Sequence, residues 1–164
     1  MSDPGNDIII RTPQPGEYGW IAYVHGQFYA EKFGWGEDFE RIVANIMAEY
    51  LNIVPSQRQA CFVAEREGRP VGCIMLMEKS ESEGKLRILY VSERERGRGV
   101  ATRLVNTLMD KAREIGYSVI SLRTTNNQIE ARQLYKKFGF KKISSIPNTS
   151  FAKGSFDEEW RLEL

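Results

Sequence analysis

Two spacings of apolar residues alternate along the chain, and they predict an α/β (α+β) molecule. "DIIIRT" (7–12) is a short apolar run stopped by Pro13 and Pro15 and reads as a strand. From Glu17 to Phe33, the residues Trp20, Ile21, Val24 and Phe28 recur at helical spacing, with Gly34 as the stop. Phe39, Ile42, Val43, Ile46, Met47, Tyr50 and Leu51 form the stripe of a second helix, which Pro55 ends. The period then shortens. "QACFVAERE" and "PVGCIMLMEK" are strand-like runs with a hairpin signal between them at Gly68-Arg69, and "KLRILYV" follows through "SESEG". A third helix runs from near Gly97 to Gly116, with Val100, Ala101, Leu104, Val105, Leu108, Met109, Ala112 and Ile115 on one face. "YSVISLRT" is a strand, and Ala131, Leu134, Tyr135 and Phe138 mark a short helix stopped by Gly139. "FKKISSI" and "DEEWRLEL" supply the last two strands.

This order implies an antiparallel meander leading into a β-α-β crossover, hence a mixed sheet with helices on both faces. Among the 164 residues we find no internal repeat, low-complexity tract or dividing linker, so a single domain over 1–164 is expected.

Composition narrows the function without naming it. A hydrophobic fraction of 41% and a charged fraction of 27% fit a soluble globular domain, and a net charge of +1 gives no field to draw nucleic acid or membrane. Cys61 and Cys73 sit inside apolar runs and read as buried thiols; with a lone His25 they make no metal-ligand spacing. The opening "MSDPGNDIIIRTP" lacks a signal-peptide pattern, and no apolar run approaches the roughly 20 residues of a membrane span. A cytoplasmic protein is the expectation.

One stretch departs from this ordinary background. "SERERGRGVATRL" (92–104) packs four arginines and two glycines between a strand and a helix. A helix N-terminus presents unpaired N–H groups and the positive end of its dipole, and glycine lets backbone approach a ligand closely. Strand, glycine turn and helix together make an anion site, with phosphate the commonest guest. The stretch lacks the Gly-Lys-Ser/Thr of a P-loop, and Thr102 stands where a dinucleotide fingerprint has its third glycine.

Arg94, Gly97 and Gly99 carry the pattern Arg/Gln-x-x-Gly-x-Gly/Ala, and "EARQLYKKFGF" (130–140) has the form Ala-x-x-Leu-Tyr-x-x-x-Gly-Phe. Together they resemble the two core motifs of the GNAT acyl-CoA-dependent N-acetyltransferases, over Gln59 to Ile146. "HGQFYAEKFGWGEDFE" and the tail "SFAKGSFDEEWRLEL" resemble, more narrowly, the acetyltransferase half of fusions with a MarR-type regulator; this chain has no room for the DNA-binding half.

The resemblance implies a mixed, mostly antiparallel sheet of six to seven strands with four helices, splayed centrally to admit coenzyme A. It places the pyrophosphate of acetyl-CoA on the backbone of Glu95, Arg96, Gly97, Arg98, Gly99, Val100 and Ala101, with the Thr102 hydroxyl beside it. It places the pantetheine arm along Leu89, Tyr90 and Val91, as an added strand would lie. Tyr135 takes the position of the proton donor to the departing thiolate, a role suited to a phenol that stays protonated at neutral pH. The pantetheine contact that relatives make with an asparagine falls at Gln128, with Asn126 and Asn127 just before it.

The glutamate base of many relatives falls here at Lys85 or Arg123. Two explanations stay open: a water chain, Glu31, Glu37 or His25 takes the amine proton; or Lys85, Arg87 and Arg123 mark an acceptor bearing a carboxylate or phosphate. The acceptor wall is expected from Tyr23, Tyr29, Phe33 and Trp35. Trp35, between Gly34 and Gly36, reads either as a mobile lid or as an anchored turn.

The activity implied is direct acetyl transfer to a primary amine, with a small-molecule acceptor, no metal and no nucleic acid or membrane partner. A homodimer is compatible with it. A non-catalytic acyl-CoA sensor and an acetyltransferase of protein N-termini or lysines are the alternatives.

Overall fold

The structure, a computed structural model, describes residues 7–164. Its strands are β1 (Ile8–Arg11), β2 (Ala60–Arg66), β3 (Arg69–Glu78), β4 (Glu83–Val91), β5 (Val119–Thr125), β6 (Lys141–Pro147) and β7 (Phe156–Glu163). Its helices are α1 (Glu17–Phe33), α2 (Glu37–Asn52), α3 (Val100–Ile115) and α4 (Ile129–Phe138). The strands form one sheet in the order β1-β2-β3-β4-β5-β7-β6, antiparallel throughout except for the β4–β5 pair.

Helices lie on both faces, as the apolar stripes imply. Ile21 of α1 and Met47 and Tyr50 of α2 pack with Cys61, Cys73, Met75 and Met77 on one face. Leu104, Leu108 and Ala112 of α3 and Tyr135 of α4 pack with Ile74, Leu86, Ile120 and Trp160 on the other. Arg11 pins the first corner: its guanidinium bonds both Glu17 at the start of α1 and Glu65 on β2.

Two local readings need correction. The β2–β3 turn is Glu67-Gly68, with φ of 51° and 77°, and not Gly68-Arg69. Positive φ at both central residues matches the twist of a two-residue hairpin, so Arg69 is already in β3 opposite Arg66. The third helix starts at Val100, because residues 93–95 first make a separate 3₁₀ turn.

The position of the site follows from β4. This strand pairs with β5 only through Glu83, Gly84 and Lys85, opposite Val119, Ile120 and Ser121. Beyond Lys85 the two strands part, and the sheet opens at its centre. On its other side β4 carries an extra residue against β3, since Cys73 faces Tyr90 while Met75 faces Arg87. The bulge puts Ile88 at φ 59°, a conformation β-branched residues rarely adopt. The Ile88 carbonyl turns toward β3 and accepts a 3.4 Å contact from Cys73 Sγ.

Candidate active site

A cavity of about 430 Å³ fills the gap between β4 and β5 and reaches both faces of the sheet. On one side it is bounded by α1 and α2, including His25, Tyr29, Phe39, Ile42 and Ile46. On the other it is bounded by the start of α3 and by α4, including Gly97, Gly99, Thr102, Leu134 and Tyr135.

At the α3 end, Gly97 and Gly99 adopt φ of 74° and 78°, and a Cβ on either would meet no atom within 4 Å. Here glycine answers the turn's left-handed backbone, and the space beside it is open to a ligand. The first α3 bond runs from Arg103 N–H to Gly99 O, so the N–H groups of Val100, Ala101 and Thr102 have no helical acceptor. The cradle is shorter than the sequence suggests. Glu95 N–H and Arg96 N–H are spent on Ser92 O and Glu93 O within the 3₁₀ turn. The Glu95 carboxylate is turned inward against Arg66 at 2.9 Å. Arg96 folds back too: Nε donates to Val91 O at 3.2 Å and the guanidinium lies 4.5 Å over the Phe28 ring. Arg98 does not line the cavity and pairs with Glu95 at 3.7 Å.

Leu89, Tyr90 and Val91 line the cavity along the unpaired edge of β4. Of the three consecutive amides, only Gln128 reaches it. Asn126 bonds Phe156 through both backbone and side chain, and Asn127 accepts from Thr125 Oγ1, which holds both in the loop. Gln128 Oε1 instead accepts from Tyr29 Oη at 3.1 Å.

Tyr135 faces the cavity from α4, with its ring edge-on to Phe140 at 5.7 Å. Burial, reinforced by the nearby Tyr29, pushes its phenol above the usual range, so it holds its proton firmly at neutral pH. Tyr29 is likewise pushed up to about 12 by burial.

His25 is 3% exposed, and its Nδ1 lies 2.7 Å from Ile21 O. A carbonyl only accepts, so Nδ1 carries the proton and Nε2 presents a lone pair that no protein group satisfies. Burial pulls its pKa down to about 4, which keeps the ring neutral. His25 sits 5.6 Å from the Tyr90 ring, beside the bulge. The other base candidates, Glu31 and Glu37, are exposed and away from the cavity.

The expected acceptor wall is partly relocated. Tyr23 is 63% exposed, and Trp35 is 6% exposed and does not line the cavity. Trp35 stacks on Tyr29 at 5.0 Å and packs against Phe33, Phe39 and Phe151, which makes it an anchor and not a lid. The wall comes instead from Tyr29 and Phe33 with Phe39, Ile42 and Ile46, of which the α2 residues were visible in sequence only as core. Arg87 and Arg123 both line the cavity. Lys85 does not; burial and these two arginines pull its pKa down to about 8.

The layout, a split sheet with a glycine cradle at one mouth, defines a class of acyltransferase-like folds. The profile of the Acetyltransferase (GNAT) family matches residues 17–140, and the chain belongs to that family. N-acetyltransferase 8 of Homo sapiens is 32% identical over 121 residues, covering 70% of this chain and 53% of that protein. The chain spans about half the length of the curated relatives it matches. Among solved structures, yncA of Salmonella typhimurium with its cofactor acetyl-CoA superposes with a TM-score of 0.75 at 18% identity, covering 97% of this chain and 95% of that one. Spermidine N-acetyltransferase of Vibrio cholerae, in complex with CoA and spermine, does so with a TM-score of 0.74 at 16% identity, covering 96% of each chain. No helix among the described residues is long and apolar enough to cross a membrane.

Proposed function

We propose that this protein is an acetyl-CoA-dependent N-acetyltransferase that acetylates a primary amine of a small molecule by direct attack. The cavity passing through the split between β4 and β5 carries the reading, because it lets two molecules meet from opposite faces. The residues present fit acetyl-CoA: Gly97, Gly99 and the free N–H groups opening α3 suit its pyrophosphate, and the unpaired edge at Leu89–Val91 suits its amide-rich arm.

When bound, acetyl-CoA supplies the acetyl thioester. His25 Nε2, neutral and without a protein donor, accepts a hydrogen bond from the acceptor amine; with its pKa held at about 4 by burial, the ring is too weak a base to keep the proton, which passes to water. A backbone N–H of the bulged β4 segment would serve as a hydrogen-bond donor to the acetyl oxygen. Tyr135, whose phenol burial keeps protonated, would be the donor of a proton to the departing thiol. Gln128, held by Tyr29 and lining the cavity, would be the amide available to the arm.

The aromatic and aliphatic walls at the α1–α2 mouth support a small acceptor over a protein chain. We place the enzyme in the cytoplasm, with a homodimer compatible with the fold. Calorimetric titration of acetyl-CoA into the wild type and a folded Gly97→Glu, Gly99→Glu variant tests the reading. Micromolar binding lost in the variant is the expected result. A folded wild type that does not bind would overturn it.

A further inference from the structure

We propose that Arg87 and Arg123 form an anion clamp at the acceptor mouth, and that the acceptor is an apolar amino acid carrying a free carboxylate near its amine. The inference rests on the acetyltransferase reading and specifies its second substrate.

The clamp follows from strand register. Lys85 and Ser121 are the last paired positions of β4 and β5. Arg87 and Arg123 each lie two residues further on, so both project from the same face, on opposite banks of the opening gap. That face is the one under α1 and α2: Arg87 is opposite Met75, which packs in that core, and it reaches Glu49 of α2. Both arginines line the cavity.

Their charges are poorly offset by the protein. Arg87 Nε is buried and donates no hydrogen bond, and its carboxylate partner Glu49 is exposed and 3.5 Å away. Arg123 has no ion pair among the described residues. Lys85, outside the cavity lining, lies one strand repeat behind Arg87, and Arg87 is held below its usual range by burial and by Arg123. A carboxylate there would satisfy the orphan Nε–H and relieve the repulsion.

The remaining walls set the body of the ligand. Phe39, Ile42 and Ile46 offer no polar side-chain atoms, and His25, whose Nε2 no protein group satisfies, lies beside Tyr90, three residues along β4 from Arg87. A molecule with an apolar side chain, a carboxylate for the clamp and an amine for Nε2 meets all three. A polyamine would set further cations against two arginines.

The test compares matched pairs: leucine with leucinamide and phenylalanine with phenylalaninamide, both enantiomers, and spermidine as the cationic control. At pH 8 the amide's amine is less basic and more often free, so a preference for the acid can come only from the site. The wild type is expected to favour at least one acid by about tenfold or more in kcat/KM. Arg87→Gln and Arg123→Gln should bring that ratio near one through KM, with acetyl-CoA affinity unchanged by calorimetry. Equal use of acid and amide, a preference for spermidine, or failure to use any of the acids while acetyl-CoA binds would overturn the clamp. Loss of acetyl-CoA binding in the wild type would instead defeat the acetyltransferase reading, and the clamp would then stand or fall on whether leucine, unlike leucinamide, perturbs the Arg123 Nε–H resonance.

Discussion

Arg66 Nε donates to Glu95 Oε2 at 2.9 Å and thereby ties the turn before α3 to the end of β2. The side chains are only 14% and 10% exposed, and the other ion pairs they make are longer, Glu95 with Arg98 at 3.7 Å and Arg66 with Asp7 at 3.9 Å. The pair places a carboxylate close to a cradle that our reading assigns to phosphates. Its neutralisation is therefore part of the site. Arg66→Met should leave Glu95 only its longer contact with Arg98, cost about 3 kcal/mol and weaken acetyl-CoA binding by at least about tenfold. Adding Glu95→Gln should restore most of the binding, which calorimetry on both variants would measure. Unchanged affinity in Arg66→Met would show that the pair is structural alone.

Tyr135→Phe keeps the ring against Phe140 and removes only the hydroxyl. Stability should change by less than about 1 kcal/mol, whereas kcat should fall by about 10²-fold or more with little change in the Kd of acetyl-CoA. Because burial raises this phenol, the wild-type rate should have no limb from its ionisation below pH 9. A pre-steady-state burst would reveal whether thiolate departure is the affected step.

His25 makes stability depend on pH. The folded state holds the ring neutral down to about pH 4, while the ordinary value is 6.5, so the unfolded chain binds more protons between them. Stability from this group is full above pH 6.5 and is lost as pH falls toward 4. The loss amounts to about 3 kcal/mol at most. Urea titrations at pH 7 and pH 4.5 should show a smaller drop in His25→Phe than in the wild type. Equal drops would mean that the ring is solvated.

Trp35→Ala should cost about 3–5 kcal/mol by removing a ring packed against four aromatic neighbours. Trp35→Phe should cost less, and the Kd for acetyl-CoA should hold in both folded variants because Trp35 lies outside the cavity. Thermal melts and calorimetry separate this from a lid, whose loss would alter turnover at unchanged stability.

What could be read from the chain beforehand was whatever a local pattern dictates. The stripes of α2 and α3 set their buried faces, and the spacing of Arg94, Gly97 and Gly99 set a turn whose φ values only glycine tolerates well. The splay between β4 and β5 came from resemblance, since nothing local marks the residue at which pairing stops. The bulge at Ile88 gave no signal, because a β-branched residue is an unfavourable choice for φ 59° and tertiary packing holds it there. Gly34 and Gly36 suggested a hinge, but aromatic packing fixed Trp35 between them. Asn126, Asn127 and Gln128 differ too little chemically for sequence to choose among them. In the structure only Gln128 of the three lines the cavity.

The split after Lys85 gives the cavity two mouths, one on each face of the sheet. Traffic through such a passage need not share a door. On the acetyltransferase reading proposed above, the acyl donor and the amine can occupy the protein together, and neither product has to depart before the second substrate arrives. Initial-velocity lines should therefore converge, and a dead-end analogue of one substrate should leave the entry of the other unobstructed.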